Sequence, residues 1–207
     1  MKKFYFLLSI TIVLIITANK SMAQTADTVC VNSTLVPYSV TNTVGSTYAW
    51  TLSGGGAMSA ATGNAITVNW GAVAGTYNLQ IQETSSTGCT GDPVALNVVV
   101  IPLATAAISG NSSMCYNDPN PIVTINLTGV GPWTFSYTDG TTVSTVTNHA
   151  SSSFTFNPTP TIPSAGTSAA TTTYSLVSVS NKFCSGTTSG SAVITVNPKP
   201  VTSAIIH

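Results

Sequence analysis

Charged side chains are scarce in this 207-residue chain: Asp, Glu, Lys and Arg together make up 5% of it, and arginine is absent. Nucleic-acid binding needs clustered cations that displace counterions from the phosphates. Three of the lysines, Lys2, Lys3 and Lys20, lie close to the N-terminus. The other two, Lys182 and Lys199, are isolated, so we expect no nucleic-acid partner.

Groups that could carry out catalysis are also few. The sequence has two histidines, His149 and His207, and its five acidic residues are scattered. A nucleophile needs a base held beside it, and no Ser-His-Asp or Cys-His spacing suggests such a pair. We therefore predict that the chain is not an enzyme, has no catalytic residue and needs no cofactor. We expect His149 to be a solvated loop residue.

Only one apolar run is long. Phe4–Ala18 is almost entirely apolar, follows two lysines and precedes the small-residue cleavage signal Ser21-Met22-Ala23. Its length of about 15 residues is below the roughly 20 that span a bilayer. The pattern predicts a cleaved signal peptide, residues 1–23. We expect no membrane span after cleavage, and a location outside the cell or on its surface, or in the periplasm if secretion goes no further.

Thr, Ser, Asn and Gly take the place of charged residues in the composition. Thr and Val favour pleated strands. Short segments alternate between apolar and polar residues or are apolar throughout, no capped helical period appears, and glycines mark turns between the segments. Together these features predict an all-β sandwich. The predicted strands are Tyr48–Leu52, Ile66–Trp70, Tyr77–Ile81, Val94–Val100, Ile122–Leu127, Trp133–Tyr137, Tyr174–Val179 and Ala192–Val196.

Two further features belong to the second half of the chain. Asp139-Gly140 is a hairpin turn signal after the strand that ends at Tyr137. Thr141–Thr173 is rich in Ser and Thr and contains Pro158, Pro160 and Pro163. We interpret this stretch as one or two short edge strands followed by a loop.

A strand-then-proline pattern occurs twice, at Leu96–Pro102 and at Ile194–Pro198. Repetition at a fixed period is the signature of a domain array, and proline ends a sheet ladder. The pattern predicts two tandem β-sandwich domains, residues 24–101 and 102–198, with a boundary at Pro102–Ala107. Residues 199–207 resemble the start of a third repeat, so we expect a frayed segment there and a chain that is a fragment or truncated product.

The four cysteines fall as one pair in each half of the sequence: Cys30 with Cys89, and Cys115 with Cys184. An even count at matched positions in an exported protein indicates disulfides, and four cysteines allow three connectivities. The repeat favours one bridge within each half, worth roughly 4 kcal/mol on the chain-entropy model. The alternative is a zinc site, which usually uses closely spaced cysteine pairs that are missing here. We therefore expect no metal ligands.

Tryptophans offer the one candidate for ligand contact. Trp50 and Trp133 share strand faces with other apolar residues, which is typical of core positions. Trp70 ends a strand before Gly71, so we name it as a possible exposed platform for sugar rings. This keeps a carbohydrate-binding module as the alternative to a structural role.

Several of these segments carry a family resemblance. Tyr48–Gly55, Val68–Gly71, Gly75–Leu79 and Gly88-Cys89 resemble the PKD-like, immunoglobulin-like repeats of large Bacteroidetes surface proteins. The likeness covers residues 27–101 well. Residues 102–198 are more loosely similar to related Ig-like repeats, while the W-x-F-G-D-G turn of standard PKD domains and a C-terminal sorting domain are missing.

The resemblance implies a PKD-like domain followed by an Ig-like domain, in an exported adhesin or gliding-motility-associated protein. Its implied role is an extracellular spacer or adhesion module, with surface glycans or other surface proteins as partners.

Overall fold

The computed structural model describes residues 24–206, and these residues form β-strands without any helix. The strands in chain order are β1 Asp27–Cys30, β2 Val36–Ser39, β3 Thr47–Leu52, β4 Gly56–Met58, β5 Ala65–Trp70, β6 Gly75–Thr84, β7 Val94–Ile101, β8 Thr105–Ser109, β9 Ser112–Cys115, β10 Val123–Thr128, β11 Trp133–Thr138, β12 Val143–His149, β13 Ser153–Phe156, β14 Ala170–Ser180 and β15 Thr187–Asn197.

The first seven strands make two facing sheets. One has the order β1-β7-β6-β3 and the other the order β2-β5-β4. Burial alternates along the strands, as in β3, where Tyr48 and Trp50 point inward and their neighbours are exposed. Between the sheets lies a cluster of buried apolar side chains, here called the first core. It consists of Val29, Tyr48, Trp50, Ile66, Val68, Trp70, Leu79, Ile81, Val98 and Val100.

The other eight strands enclose a second core. Strand β15 belongs to both sides of this sandwich and connects them. The N-terminal part of β15, Thr187–Gly190, pairs with β8, which continues to β10 and β13. The C-terminal part pairs with β14, and through it with β11 and β12, while β9 pairs on its other side. The second core consists of Ala104, Ala106, Ile108, Val123, Ile125, Leu127, Trp133, Phe135, Tyr174, Val179, Ala192 and Ile194.

The predicted all-β sandwich is confirmed, and each of the eight predicted strands coincides with an observed one. The edge-strand interpretation of Thr141–Thr173 is also confirmed, because β12 and β13 lie at opposite ends of their sheet order and 157–169 contains no strand. Within the described range, 198–206 likewise contains no strand. The predicted signal peptide lies outside the described residues, and none of residues 24–206 forms a helix of the length and apolarity that a membrane span requires.

His149 differs from the prediction. It is the last residue of β12 rather than a loop residue, and it is half-buried. Its Nε2 lies 3.1 Å from the carbonyl oxygen of Ser153, and its ring meets Phe135 and Phe154 edge-on. The Ser/Thr-rich sequence around His149 gave no sign of these aromatic contacts, because both rings come from other strands.

Candidate functional site at the junction of the two cores

One half of the junction is the end of β1. Cys30 is the last residue of this strand and pairs in parallel with Ile101, the last residue of β7. The N–H of Val31 donates to the Ile101 carbonyl at 2.9 Å, which extends the pairing by one residue. The chain then passes through Pro102 into β8. Cys30 therefore lies where the chain leaves the first core.

The other half is the turn between β14 and β15. Asn181 organises it: its Oδ1 accepts from the N–H of Phe183 at 2.9 Å and from the N–H of Cys184 at 2.7 Å. Its own N–H donates to the Cys184 carbonyl, and its Nδ2 donates to the carbonyl of Val130, at 2.9 Å in both cases. Because several hydrogen bonds hold this turn, the Cys184 side chain has a fixed position.

A disulfide joins the two halves. Cys30 and Cys184 have their Cα atoms 5.9 Å apart and are 154 positions apart in the sequence. Cys184 is only 2% exposed, so the bridge is shielded on that side. The bond links a strand packed on the first core to a turn of the second.

A backbone contact holds the Cys184 turn against Ala104, at the start of the second core. The N–H of Thr187 donates to the Ala104 carbonyl at 3.1 Å. Gly186 lies so close that a Cβ added there would come within 1.9 Å of the same oxygen. A glycine is therefore needed at 186 for the turn to approach the connecting segment, since any side chain would push the two apart.

The predicted pairing of Cys30 with Cys89 and of Cys115 with Cys184 is wrong. Cys89 precedes the start of β7, whereas Cys30 lies beside its end. An eight-residue strand at about 3.3 Å per residue separates them by far more than the ~6 Å between bridged Cα atoms. Cys89 and Cys115 are exposed free thiols.

Trp70 is not the exposed platform that the sequence suggested. It is 3% exposed and belongs to the first core. Its ring meets Tyr38 edge-on and lies tilted against Tyr77, with ring centroids 6.4 and 6.0 Å away. The predicted core positions of Trp50 and Trp133 are confirmed, with 6% exposure each. All three tryptophans are thus structural.

The perturbed titratable groups also have structural explanations. Burial raises the pKa of Tyr38, and the hydrogen bond from its Oη to the Asp27 carboxylate, 2.9 Å long, raises it further. The pKa of Asp139 falls to about 2, because its carboxylate accepts hydrogen bonds from the N–H groups of Thr142 and Thr141. Among residues 24–206, no three His, Cys, Asp or Glu side chains gather at a point that could hold a metal ion.

No protein-family model and no curated protein matches the sequence. Solved structures do match. The fibronectin(III)-like modules of Clostridium thermocellum CbhA are 13% identical, with a TM-score of 0.35, over 88% of this chain and 95% of theirs. An I-band fragment of titin is 10% identical, with a TM-score of 0.40, over 86% of this chain and 62% of the fragment.

The D00-D0 domain of intimin also matches. It is 10% identical, with a TM-score of 0.38, over 84% of this chain and 94% of that domain. TM-scores this low establish neither common ancestry nor a shared function.

Sequence reasoning identified Cys30 and Cys184 as bridged cysteines but missed the contacts around them. The clearest overlooked signal is a shared triplet, Cys89-Thr90-Gly91 and Cys184-Ser185-Gly186. The triplet places Cys89 and Cys184 in the same kind of turn. In each half of the chain this turn lies away from the strand end that holds the other cysteine, Cys30 or Cys115.

Proposed function

We propose that this chain is a non-catalytic, exported module that acts as an extracellular spacer or adhesion unit of a bacterial cell-surface protein. In this proposal a signal peptide, residues 1–23, precedes two sandwich domains, residues 24–101 and 102–198. The first core draws on residues from Val29 to Val100 and the second on residues from Ala104 to Ile194. Cores with no shared residue support the two-domain division.

The observation that carries the proposal is the Cys30–Cys184 bridge. A disulfide between two cores restrains their mutual movement, which is what a spacer needs in order to hold a ligand or partner at a set distance. Disulfides persist in oxidising compartments, so the bridge also supports export. Charged residues are scarce, and so are clustered titratable groups with shifted pKa values. This scarcity supports a non-catalytic role.

Other surface proteins are the partners we propose for such a module. The carbohydrate-binding alternative depended on an exposed Trp70, and burial of that ring removes the residue that would have stacked on a sugar. We therefore do not carry it forward as a second candidate.

Export can be tested with the full-length chain in a bacterial host. We expect the protein outside the inner membrane, with its N-terminus at Gln24 and with Cys30 bonded to Cys184. Mass spectrometry before and after alkylation measures both properties. A matched variant with Lys2 and Lys3 replaced by Glu should remain inside the cell. An uncleaved, fully reduced protein in the cytosol of the wild-type strain would contradict the proposal.

A further inference from the structure

The two free cysteines occupy the same two kinds of position as the bridged pair. Cys115 ends β9 and pairs with Asn197 at the end of β15, as Cys30 pairs with Ile101. The next N–H donates to the strand end in both places: Val31 to Ile101 at 2.9 Å, and Tyr116 to Asn197 at 3.0 Å. Cys115 is therefore the counterpart of Cys30.

Cys89 is the counterpart of Cys184. The Cys89 carbonyl accepts from the N–H of Ser85 at 2.9 Å, and its N–H donates to the Ser85 Oγ at 3.1 Å. Asn181 makes the equivalent pair of contacts with Cys184. The glycine that follows repeats as well, since the N–H of Gly91 donates to the carbonyl of Glu83 as that of Gly186 donates to the carbonyl of Val179.

The internal bridge joins a strand-end cysteine of the first sandwich to a turn cysteine of the second. A turn cysteine on the first sandwich and a strand-end cysteine on the second remain, and both are exposed. These are the two groups that would be bonded if a second copy were joined to this one in the same way.

A vacant strand position marks the same end of the first sandwich. In the second sandwich, β8 lies between β10 and the start of β15 and pairs with both. In the first sandwich, β2 pairs only with β5 among the described residues, and β7 pairs with β1 only from Val98 onward. No described segment takes the place that β8 has.

Incomplete burial accompanies the vacancy. The inward residues of β10 (Val123, Ile125 and Leu127) are no more than 3% exposed, whereas Val36, Tyr38 and Val40 on and after β2 are only half-buried. A cavity of about 80 Å³ opens between β2 and β7. Tyr38 and Val40 line it on the β2 side, and Val94 and Leu96 line it on the β7 side.

A segment of the same chain resembles the missing strand. Pro200–Ile205 follows Pro198 as Leu103–Ile108 follows Pro102, and both end in alanine then isoleucine. Ile108 is 3% exposed in the second core, whereas Ile205 is 98% exposed and 198–206 forms no strand. A strand that adds to an exposed sheet edge gains main-chain hydrogen bonds and side-chain pockets together.

We propose that copies of this chain join head to tail. The segment Pro200–Ile206 of one copy adds to the free edge of β2 in the next copy, with Ile205 entering the cavity. Cys115 of the first copy then forms a disulfide with Cys89 of the second. The internal junction is the template for both contacts.

The covalent step is a pair of thiol–disulfide exchanges with a small-molecule or enzyme disulfide as the oxidant. The Cys115 thiolate attacks the oxidant, forming a mixed disulfide and releasing one thiolate. The Cys89 thiolate of the other copy attacks the Cys115 sulfur and releases the second. Two protein thiols are oxidised, one disulfide is reduced to two thiols, and the two protons from the protein thiols end on the released thiolates.

The inference rests on one part of the proposed function, cleavage before Gln24. In the second sandwich, β8 ends three residues before β9 begins, and the corresponding positions before β1 are residues 20–24. Cleavage removes all of these except Gln24, which leaves the position open for a segment of another copy.

The test uses chains that start at Gln24, produced by fusion to an unrelated signal peptide. Failure of the native signal then bears on the proposed function alone. Cys89→Ser and Cys115→Ser variants are mixed in a glutathione redox buffer and followed by non-reducing electrophoresis. We expect a species of twice the monomer mass that contains a Cys115–Cys89 peptide, and a ladder of higher multiples for the wild type. The double variant should stay monomeric.

Two further variants test the strand contact. Ile205→Lys should slow cross-linking at least about tenfold, because strand docking supplies the effective concentration of the thiols. Val73→Lys, at another exposed β-branched apolar residue, should not slow it. Gly91→Ala should also slow it while leaving the monomer's stability unchanged, since an added Cβ meets nothing closer than 3.7 Å within this chain.

Each contrary result overturns the proposal. Absence of cross-linking in the mixture, or Cys115–Cys115 and Cys89–Cys89 products formed as fast as the mixed one, would show that the ends do not recognise each other. Cross-linking that is equally fast for Ile205→Lys and the wild type would overturn the strand contact. Circular dichroism of each variant shows that a negative result does not come from misfolding.

Discussion

Trp50 and Trp70 are buried in the same core, but their indole nitrogens differ. The Nε1 of Trp50 donates to the Gly63 carbonyl at 2.8 Å, whereas that of Trp70 is buried without an acceptor among the described residues. A buried donor without a partner costs free energy, and so does an acceptor that loses its donor.

These two residues make a matched pair for substitution by phenylalanine. Both changes remove similar apolar volume, but only Trp50→Phe leaves the Gly63 carbonyl without its hydrogen bond. We expect Trp50→Phe to lower the free energy of unfolding by about 1 kcal/mol more than Trp70→Phe. Urea denaturation of both variants measures the difference. Equal losses would mean that the Gly63 contact contributes nothing.

Gly186 and Gly91 form a second matched pair. An added Cβ at Gly186 would collide with the Ala104 carbonyl, while at Gly91 its nearest neighbour would be the Glu83 carbonyl oxygen at 3.7 Å, an ordinary van der Waals contact. We expect Gly186→Ala to destabilise by about 1 to 3 kcal/mol, the usual cost of forcing atoms into a packed contact. Gly91→Ala should change stability little. Thermal melts compare the two, and a Gly186→Ala protein as stable as the wild type would show that the junction can open freely.

At the residue scale, the burial of Trp50 and Trp133 could be predicted from the sequence, but the burial of Trp70 at a strand end could not. Trp50 and Trp133 share their strand faces with apolar neighbours, and that local pattern was sufficient. Trp70 precedes Gly71, which suggested exposure. Its burial depends on Tyr38 and Tyr77, which come from two other strands, and no local pattern reports such contacts.

Among the elements, the β11–β12 hairpin has the most clearly defined turn. Asp139-Gly140 predicted it, and Thr138 pairs with Val143 across it. The Asp139 carboxylate accepts from the N–H groups of Thr142 and Thr141 and from the Thr141 hydroxyl, at 2.7, 2.9 and 2.8 Å.

These contacts make the hairpin sensitive to acid. The pKa of Asp139 falls from 3.8 to about 2 on folding, so its stabilisation is present above pH 3.8 and is lost as the pH drops towards 2. Asp139→Asn should therefore melt below the wild type at neutral pH, and this difference should shrink as the pH falls from 3.8 through about 2. Melting curves across this range provide the measurement. If the difference in melting temperature between Asp139→Asn and the wild type stayed constant with pH, the charge of the carboxylate could not be its source.

The long strands were predictable, and the four-residue strands β1 and β9 were not. β6, β7, β14 and β15 carry extended apolar or alternating runs, which local sequence reveals. β1 and β9 have four residues each, and their positions are fixed by parallel pairing with β7 and β15. Because these two short strands place Cys30 and Cys115, the correct disulfide could not be predicted from spacing.

For the molecule as a whole, the bridge is the main connection between the cores. We expect Cys30→Ser with Cys184→Ser to lower the free energy of unfolding, measured in urea, by up to about 5 kcal/mol if the chain unfolds as one unit. Amide exchange at Thr187, whose N–H donates to the Ala104 carbonyl beside the Cys184 turn, should become faster. The double change Cys89→Ser with Cys115→Ser is the control and should alter neither quantity. An unchanged exchange rate in the first variant would mean that the backbone contact alone holds the Cys184 turn in place.

The same bridge also determines how the chain carries tension. A pull on the two ends enters through β1, crosses from Cys30 to Cys184 by a covalent bond and leaves through β15. The two cysteines are 154 positions apart, and the chain between them lies outside that path. Unfolding of this segment therefore cannot increase the distance between the two ends while the disulfide is intact. Adding a reductant releases this stored length, so single molecules stretched with and without one should differ by the contour of the bypassed segment.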